Sequence, residues 1–298
     1  MKFPNIFRRK VAEEAVPGAF KYKNTKVGIA FSGGAARGMA HIGAIKAFEE
    51  AGLKFDFIAG TSVGALVGAL WAAGLNYKQI YEKAKSLRKK DIVNKKFLIL
   101  PSSTTGLLNV LQDTIGDISF SELKTPFACV AVDLVTGDEI IFTKGKVGKA
   151  VVGSCAAPGY YQPVVYGKMH LADGGLQNNI PSDVPREFGC NYVVAVDVNS
   201  ARGEGSDSLK ITDVLMTSLD IIMKSNTIKG YINADIMIQP DIKKFKSRDL
   251  TDIDPMIELA YQATKERMPE ILSLIQNKPK IKKSREVQYE DVYKAKIY

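Results

Sequence analysis

FDFIAGTSVGALVGALWAAGLN, residues 55–76, decides the fold, and it admits two parsings. From Phe57 to Asn76 no residue is charged, and Gly60, Gly64 and Gly68 stand at the G-x-x-x-G spacing of paired membrane helices. Four glycines, Thr61, Ser62 and Asn76 dilute that apolar run below what a spanning helix needs. The better parsing is a short buried strand over 55–60, a tight turn, and a closely packed helix from about Ser62 to Gly74. The glycines then serve close approach of backbones. Ser62 sits where strand becomes helix, either as a helix cap or as a reactive hydroxyl.

The neighbouring segments repeat the strand-then-helix pattern. VGIAF (27–31) is a compact apolar run bounded by Lys26 and Ser32-Gly33-Gly34, as a buried strand is. Met39, Ile42, Ile45 and Phe48 then recur every third residue, one stripe of a helix that stops at Gly52. Asn76 is placed to cap a third helix with a lysine-rich face running through Lys90. Further strands are expected at 126–134, 138–143, 168–172, 191–198 and 234–239. Helical periodicity marks 210–230, with Gly230 as its stop, and Asp254-Pro255 opens a helix to about Gln276. Strands alternating with helices define an α/β fold with a largely parallel central sheet flanked by helices.

Composition narrows the class. Of 298 residues, 46% are hydrophobic and 24% charged, enough apolar material for a sizeable core. The three cysteines, Cys129, Cys155 and Cys190, are odd in number and far apart, without the spacing of a disulfide framework or zinc site. A reducing, cytoplasmic setting is expected, since residues 1–20 lack a continuous apolar stretch of the signal-peptide kind. The net charge of +9 lies in short basic runs such as Arg88-Lys89-Lys90 and Lys95-Lys96. Such runs favour an anionic membrane surface at the periphery. No aromatic residues interleave with them, so nucleic acid is not expected as a partner. Lys95-Lys96-Phe97-Leu98-Ile99-Leu100-Pro101, with Leu107, Leu108, Val110 and Leu111, reads either as a flap touching lipid or as a buried connection. Oligomeric state is not legible.

GTSVG (60–64) matches G-x-S-x-G, and a strand before it and a helix after it give the match weight. A serine nucleophile needs a base. Only two histidines exist, His41 and His170. His41 lies within the first helix, as a packed or capping residue would. His170 leaves well over a hundred residues behind it, against the Ser, acid, late His order of α/β hydrolases. A Ser62, Asp133, His170 triad therefore stands as the lesser alternative. Asp173, in HLADGGLQNN, ends an expected strand directly before Gly174-Gly175. Ligands collect at the carboxyl ends of strands in such sheets, where Ser62 should also lie. A carboxylate within hydrogen-bond reach and partly desolvated can accept the serine proton. SGGAARG (32–38) fits neither nucleotide-loop pattern. It puts small residues and free N–H groups at a strand-helix junction, a good anion site. Arg37 would add charge there or cap a neighbouring element.

SGGAARG, GTSVG and DGG (173–175), in this order, resemble the patatin-like phospholipases. SCAAPGYYQPV (154–164) is similar to the small-residue and proline segment that precedes that family's aspartate. The similarity covers roughly residues 26–200. It implies a Ser-Asp dyad, Ser62 as nucleophile and Asp173 as base, with neither histidine, cofactor nor metal. It also implies hydrolysis of a phospholipid or other fatty-acyl ester through an acyl-enzyme. Gly33, Gly34 and Ala35 would line the oxyanion hole, with Arg37 and Gly38 closing the loop. Ala35 stands where many relatives carry glycine, a change expected to be harmless if its φ stays negative. On this reading the catalytic domain is 26–276, between an N-terminal extension (1–25) and a basic C-terminal tail (277–298). Alternatives are an esterase or thioesterase for small soluble acyl groups, or a non-catalytic anion-binding protein.

Overall fold

The computed structural model describes residues 25–86, 102–199, 210–245 and 253–276. Strands β1 (Val27–Phe31), β2 (Phe57–Thr61), β3 (Phe127–Asp133) and β7 (Tyr192–Val196) are buried at every position. Continuous apolar runs of this kind suit strands covered on both faces. With β8 (Ile236–Ile238) they pair in parallel in the order β3-β2-β1-β7-β8. Three antiparallel strands complete the sheet beyond β3: β4 (Glu139–Phe142), β5 (Val164–Tyr166) and β6 (Met169–Asp173). The expected parallel sheet is present, and its antiparallel edge is the structure's addition.

One face of the sheet carries α1 (Ala40–Glu50), α2 (Val63–Ala72) and α9 (Asp254–Gln276) over the largest core cluster. Val27, Ile29 and Phe31 point into it, while Ala30 joins a small cluster on the other face, as the two-residue period of a strand requires. The second face is thinner. There Phe57, Ala59, Val130 and Val193 meet Val184 of α6 (Asp183–Glu187). Phe31, Phe48 and Phe55 surround Trp71, whose Nε1–H donates to Glu49 Oε1 at 3.0 Å. That bond and the ring contacts tie α1 to α2.

Helix α3 (Tyr77–Ser86) starts with the expected Asn76 cap, made reciprocal by Gln79: each side-chain oxygen accepts the other's backbone N–H at 3.0 Å. Residues 87–90, which were to continue it through Lys90, lie outside the described residues. Helices α4 (Thr105–Ile115) and α5 (Val147–Ser154) were not foreseen. Leu107 and Leu111 of α4 are buried in the main core, so they are no part of an exposed flap; residues 95–101 lie outside the described residues.

The single helix expected over 210–230 is two, α7 (Ile211–Ser225) and α8 (Ile228–Asn233). Ser225 and Thr227 hydroxyls donate to the carbonyls of Ile222 and Lys224, and Asn226 Nδ2 donates to Leu176, which breaks the helix ladder there. Gly230 is not a stop but lies inside α8, against Ile180.

The 57–76 stretch resolves into β2 and α2. Among the described residues, no helix is long and apolar enough to cross a membrane.

Candidate active site

Register on β3 brings the site together. Parallel β2 ends with Thr61 opposite Val130, and antiparallel β6 ends with Asp173 opposite Ala131, the next residue along. Because β4 pairs with residues 129–132 as well, β2 and β6 must share the other edge of β3. The two strands thus meet head to head at their carboxyl ends. Thr61 and Asp173 lie one strand step, about 3.3 Å, apart along β3, which brings Asp173 to Ser62, 111 residues before it in sequence.

Ser62 follows β2 with φ 55° and ψ −126°, a left-handed conformation that costs a non-glycine residue on the order of 1–3 kcal/mol. Its neighbours make the bend feasible. A Cβ on Gly60 would lie 2.5 Å from the Gly64 carbonyl oxygen, and one on Gly64 would lie 2.4 Å from that of Phe31. The Ser62 N–H donates to Ser154 Oγ at 2.8 Å, and Ser154 donates in turn to the Val130 carbonyl at 2.5 Å. Thr61 Oγ1 donates to the Asn178 carbonyl at 2.8 Å. These bonds hold the bend from three sides.

The Ser62 side chain makes no helix cap. Its Oγ–H donates to Asp173 Oδ2 at 2.6 Å, a charge-assisted distance. Asp173 is almost wholly buried, and its Oδ1 accepts the Gly175 N–H at 2.8 Å. Burial raises the Asp173 pKa to about 6, while the bonds from Ser62 and Gly175 oppose the rise. The carboxylate is therefore a far better base than a solvated one. The Cys155 thiol also lies beside Ser62, held well above the ordinary thiol range by burial and then by the charge of Asp173.

The two histidines lie elsewhere in function. His41 is fully buried in α1, its Nε2 2.9 Å from the Ser32 carbonyl oxygen, and burial lowers its pKa to about 4. His170 is exposed. Asp133 accepts from the His170 backbone N–H at 3.0 Å and from Val135 and Thr136, organising a turn. No Ser62, Asp133, His170 triad is assembled.

Of the five loop residues, Gly33 lies against Ser62: a Cβ there would be 3.4 Å from the Ser62 Cβ. Its N–H, however, donates to the Asn179 carbonyl at 3.1 Å, so it is already committed. Arg37 and Gly38 fall in a 3-10 turn (Ala35–Met39), and the Arg37 N–H donates to Gly34 at 3.1 Å. The N–H groups of Gly34 and Ala35 have no acceptor among the described residues. Ala35 has φ 48°, so the negative φ expected for a harmless methyl group is not adopted. Arg37 Nε donates to the Phe245 carbonyl at 2.8 Å, the capping role.

Sequence reasoning singled out neither Ser154 nor Asn179. Ser154 lay within a stretch already noted for its small residues, yet nothing local shows that its hydroxyl takes up the Ser62 N–H. Asn179 Oδ1 is buried with no hydrogen-bond partner among the described residues, and would lie 2.5 Å from a Cβ on Gly33 and 3.0 Å from one on Gly175. Its carbonyl and side chain thus space the loop from the turn after Asp173.

A strained serine paired with a buried aspartate at the carboxyl ends of two strands defines a serine-carboxylate site on an α/β sheet. Residues 29–185 match the family model "Patatin-like phospholipase", more than half of the chain, and the protein belongs to that family. Among curated relatives, neuropathy target esterase sws of Drosophila melanogaster is 36% identical over 185 residues, 58% of this chain and 13% of that one. An NTE family protein of Mycobacterium tuberculosis (strain CDC 1551 / Oshkosh) is 26% identical over 276 residues, 83% of this chain and 47% of that one. The chain thus spans less than half the length of either relative. Among solved structures, VipD from Legionella pneumophila aligns with a TM-score of 0.48 at 13% identity, over 83% of this chain and 67% of that one. Human GIVD cytosolic phospholipase A2 aligns at 0.44 and 11%, over 84% and 58%.

Proposed function

We propose that this protein is a lipid acyl hydrolase that cleaves fatty-acyl esters, phospholipids among them, through an acyl-enzyme on Ser62. The observation that carries this is the 2.6 Å bond from a strained Ser62 hydroxyl to a buried Asp173. Family membership supports the substrate class. The unit carrying the chemistry is taken as residues 26–276.

In the first half-reaction Ser62 Oγ bonds to the ester carbonyl carbon as its proton passes to Asp173 Oδ2. The carbonyl oxygen becomes an oxyanion that the N–H groups of Gly34 and Ala35 receive, helped by the amino-terminal end of α2 beside Ser62. The C–O bond to the alcohol breaks, and the departing oxygen takes the proton from Asp173. In the second half a water oxygen attacks the acyl carbon while Asp173 accepts one of its protons. The Ser62 ester bond then breaks, Oγ recovers that proton, and the free fatty acid leaves.

Two variants test the scheme. Ser62→Ala and Asp173→Asn are expected to lose at least about 10³-fold in kcat on a chromogenic fatty-acyl ester while keeping the wild-type circular dichroism. A fluorophosphonate is expected to label wild type at Ser62 and to miss Ser62→Ala. Full activity in folded Asp173→Asn rejects the dyad. Faster turnover of acetyl than of long-chain esters assigns the site instead to small soluble acyl groups. An unlabelled Ser62 assigns it to anion binding.

A further inference from the structure

Eight of the twelve large apolar side chains exposed among the described residues lie on α7 and α8. Ile211, Leu215, Ile221 and Ile222 of α7, with Ile228 and Ile232 of α8, are between 45% and 71% exposed. Scattered surface isoleucines are ordinary, but their concentration on two consecutive helices marks a contact surface.

Helical spacing sorts α7 into three sectors at about 100° per residue. Ile211, Val214, Leu215, Ile221 and Ile222 share the outward sector. Leu219 and Met223, half-buried, share the sector turned to the protein. Thr217, Asp220 and Lys224 form a polar strip along one flank, while exposed Ser218 and Ser225 stand among the outward apolar residues and turn their hydroxyls back to the Val214 and Ile222 carbonyls of their own helix. Such a helix, its outward sector apolar but for two serines that bond within the helix, suits a boundary between protein, water and an apolar phase.

The inward side of the same helix adjoins the dyad. Met223 Cε would lie 2.5 Å from a Cβ on Gly175, the residue whose N–H holds Asp173. Asn226, directly after α7, donates to the Leu176 carbonyl at 2.5 Å and accepts the Asn179 N–H at 3.3 Å. Helix α7 is thus seated on the turn that follows the base. Exposed Leu134 and Val135 belong to the β3–β4 turn, which Gln177 ties to the same segment through the Gly137 carbonyl.

We propose that α7 and α8 dock this face onto a phospholipid bilayer containing anionic lipid, setting Ser62 beside the surface that holds its substrate. The choice of occupant rests on the lipid-hydrolase reading and on charge. A chain of net charge +9 is drawn to an anionic surface and repelled by its own copies.

The test uses the full chain carrying Ser62→Ala, sedimented with vesicles of phosphatidylcholine and phosphatidylglycerol. Adding Ile211→Ser, Leu215→Ser and Ile222→Ser, all at exposed positions, is expected to lower vesicle partitioning at least about tenfold. The same three changes in the wild-type chain are expected to leave turnover of a water-soluble short-chain ester unchanged and to reduce turnover of vesicle lipid. Partitioning that the three serines do not alter overturns the proposal. So does a wild-type chain that ignores vesicles and forms a dimer which the three serines dissociate, since the face then belongs to a second copy. Sedimentation is read without turnover, so it stands apart from the hydrolase reading, which the soluble ester tests.

Discussion

Asp173 and Ala35 each depart from what their residue types prefer, and each departure has a measurable cost. With its pKa raised to about 6, the folded chain keeps a proton on Asp173 between about pH 4 and 6 that the unfolded chain releases. Stability therefore falls as pH rises through that window, and above it the ionised carboxylate is a standing cost. Asp173→Asn is expected to be more stable than wild type by about 1–3 kcal/mol at pH 8 in urea unfolding, with the gain vanishing below pH 4. Activity runs the other way, since only the ionised carboxylate accepts a proton: wild-type kcat/KM should rise through pH 6 and then level. Ala35 holds φ 48° with a methyl group that glycine would not carry. Ala35→Gly is expected to stabilise by about 0.5–1 kcal/mol without loss of activity, read as a higher Tm and an unchanged kcat.

At the scale of elements, the β2-turn-α2 unit depends on backbones touching. Gly64 lies against the carbonyl oxygens of Phe31 and Ser32, 2.4 and 2.5 Å from where a Cβ would stand. Backbone atoms at the end of β1 cannot step aside as a flexible side chain would. Gly64→Ala is expected to cost about 3 kcal/mol in urea unfolding and to lower kcat in whatever folds, because α2 must move off β1 and carry Ser62 with it. The turn itself was legible: small residues, an apolar run before and a helical period after leave few other parsings. The direction of β6 was not. A strand of five residues reads the same whether it pairs parallel or antiparallel, yet only the antiparallel choice brings Asp173 head-on to Ser62.

Across the whole molecule, α9 closes the core although it begins nearly two hundred residues after α2. Met256, Ala260 and Ile271 are fully buried in the cluster that also holds Val27, Ile29 and Phe48. Ile271→Ala is expected to cost about 2–5 kcal/mol in denaturant unfolding. Since Ile271 touches neither Ser62 nor Asp173, kcat per folded molecule should stay at the wild-type value.

The α/β class, the strands of the parallel core, the elbow serine and the aspartate as its candidate partner all followed from sequence. Each rests on patterns within a few residues: apolar runs, a three-to-four-residue stripe, glycines around a serine. Tertiary structure decided what spans distance. It paired Ser62 with Asp173 rather than with His170, committed the Gly33 N–H to Asn179 while leaving those of Gly34 and Ala35 without an acceptor among the described residues, and set Ser154 beneath the strained bend. It also turned the isoleucines of α7 outward, where periodicity alone reads them as core. Such choices depend on which strand edges and carbonyls meet once the sheet has formed, and no local pattern of residues encodes a meeting between segments a hundred positions apart.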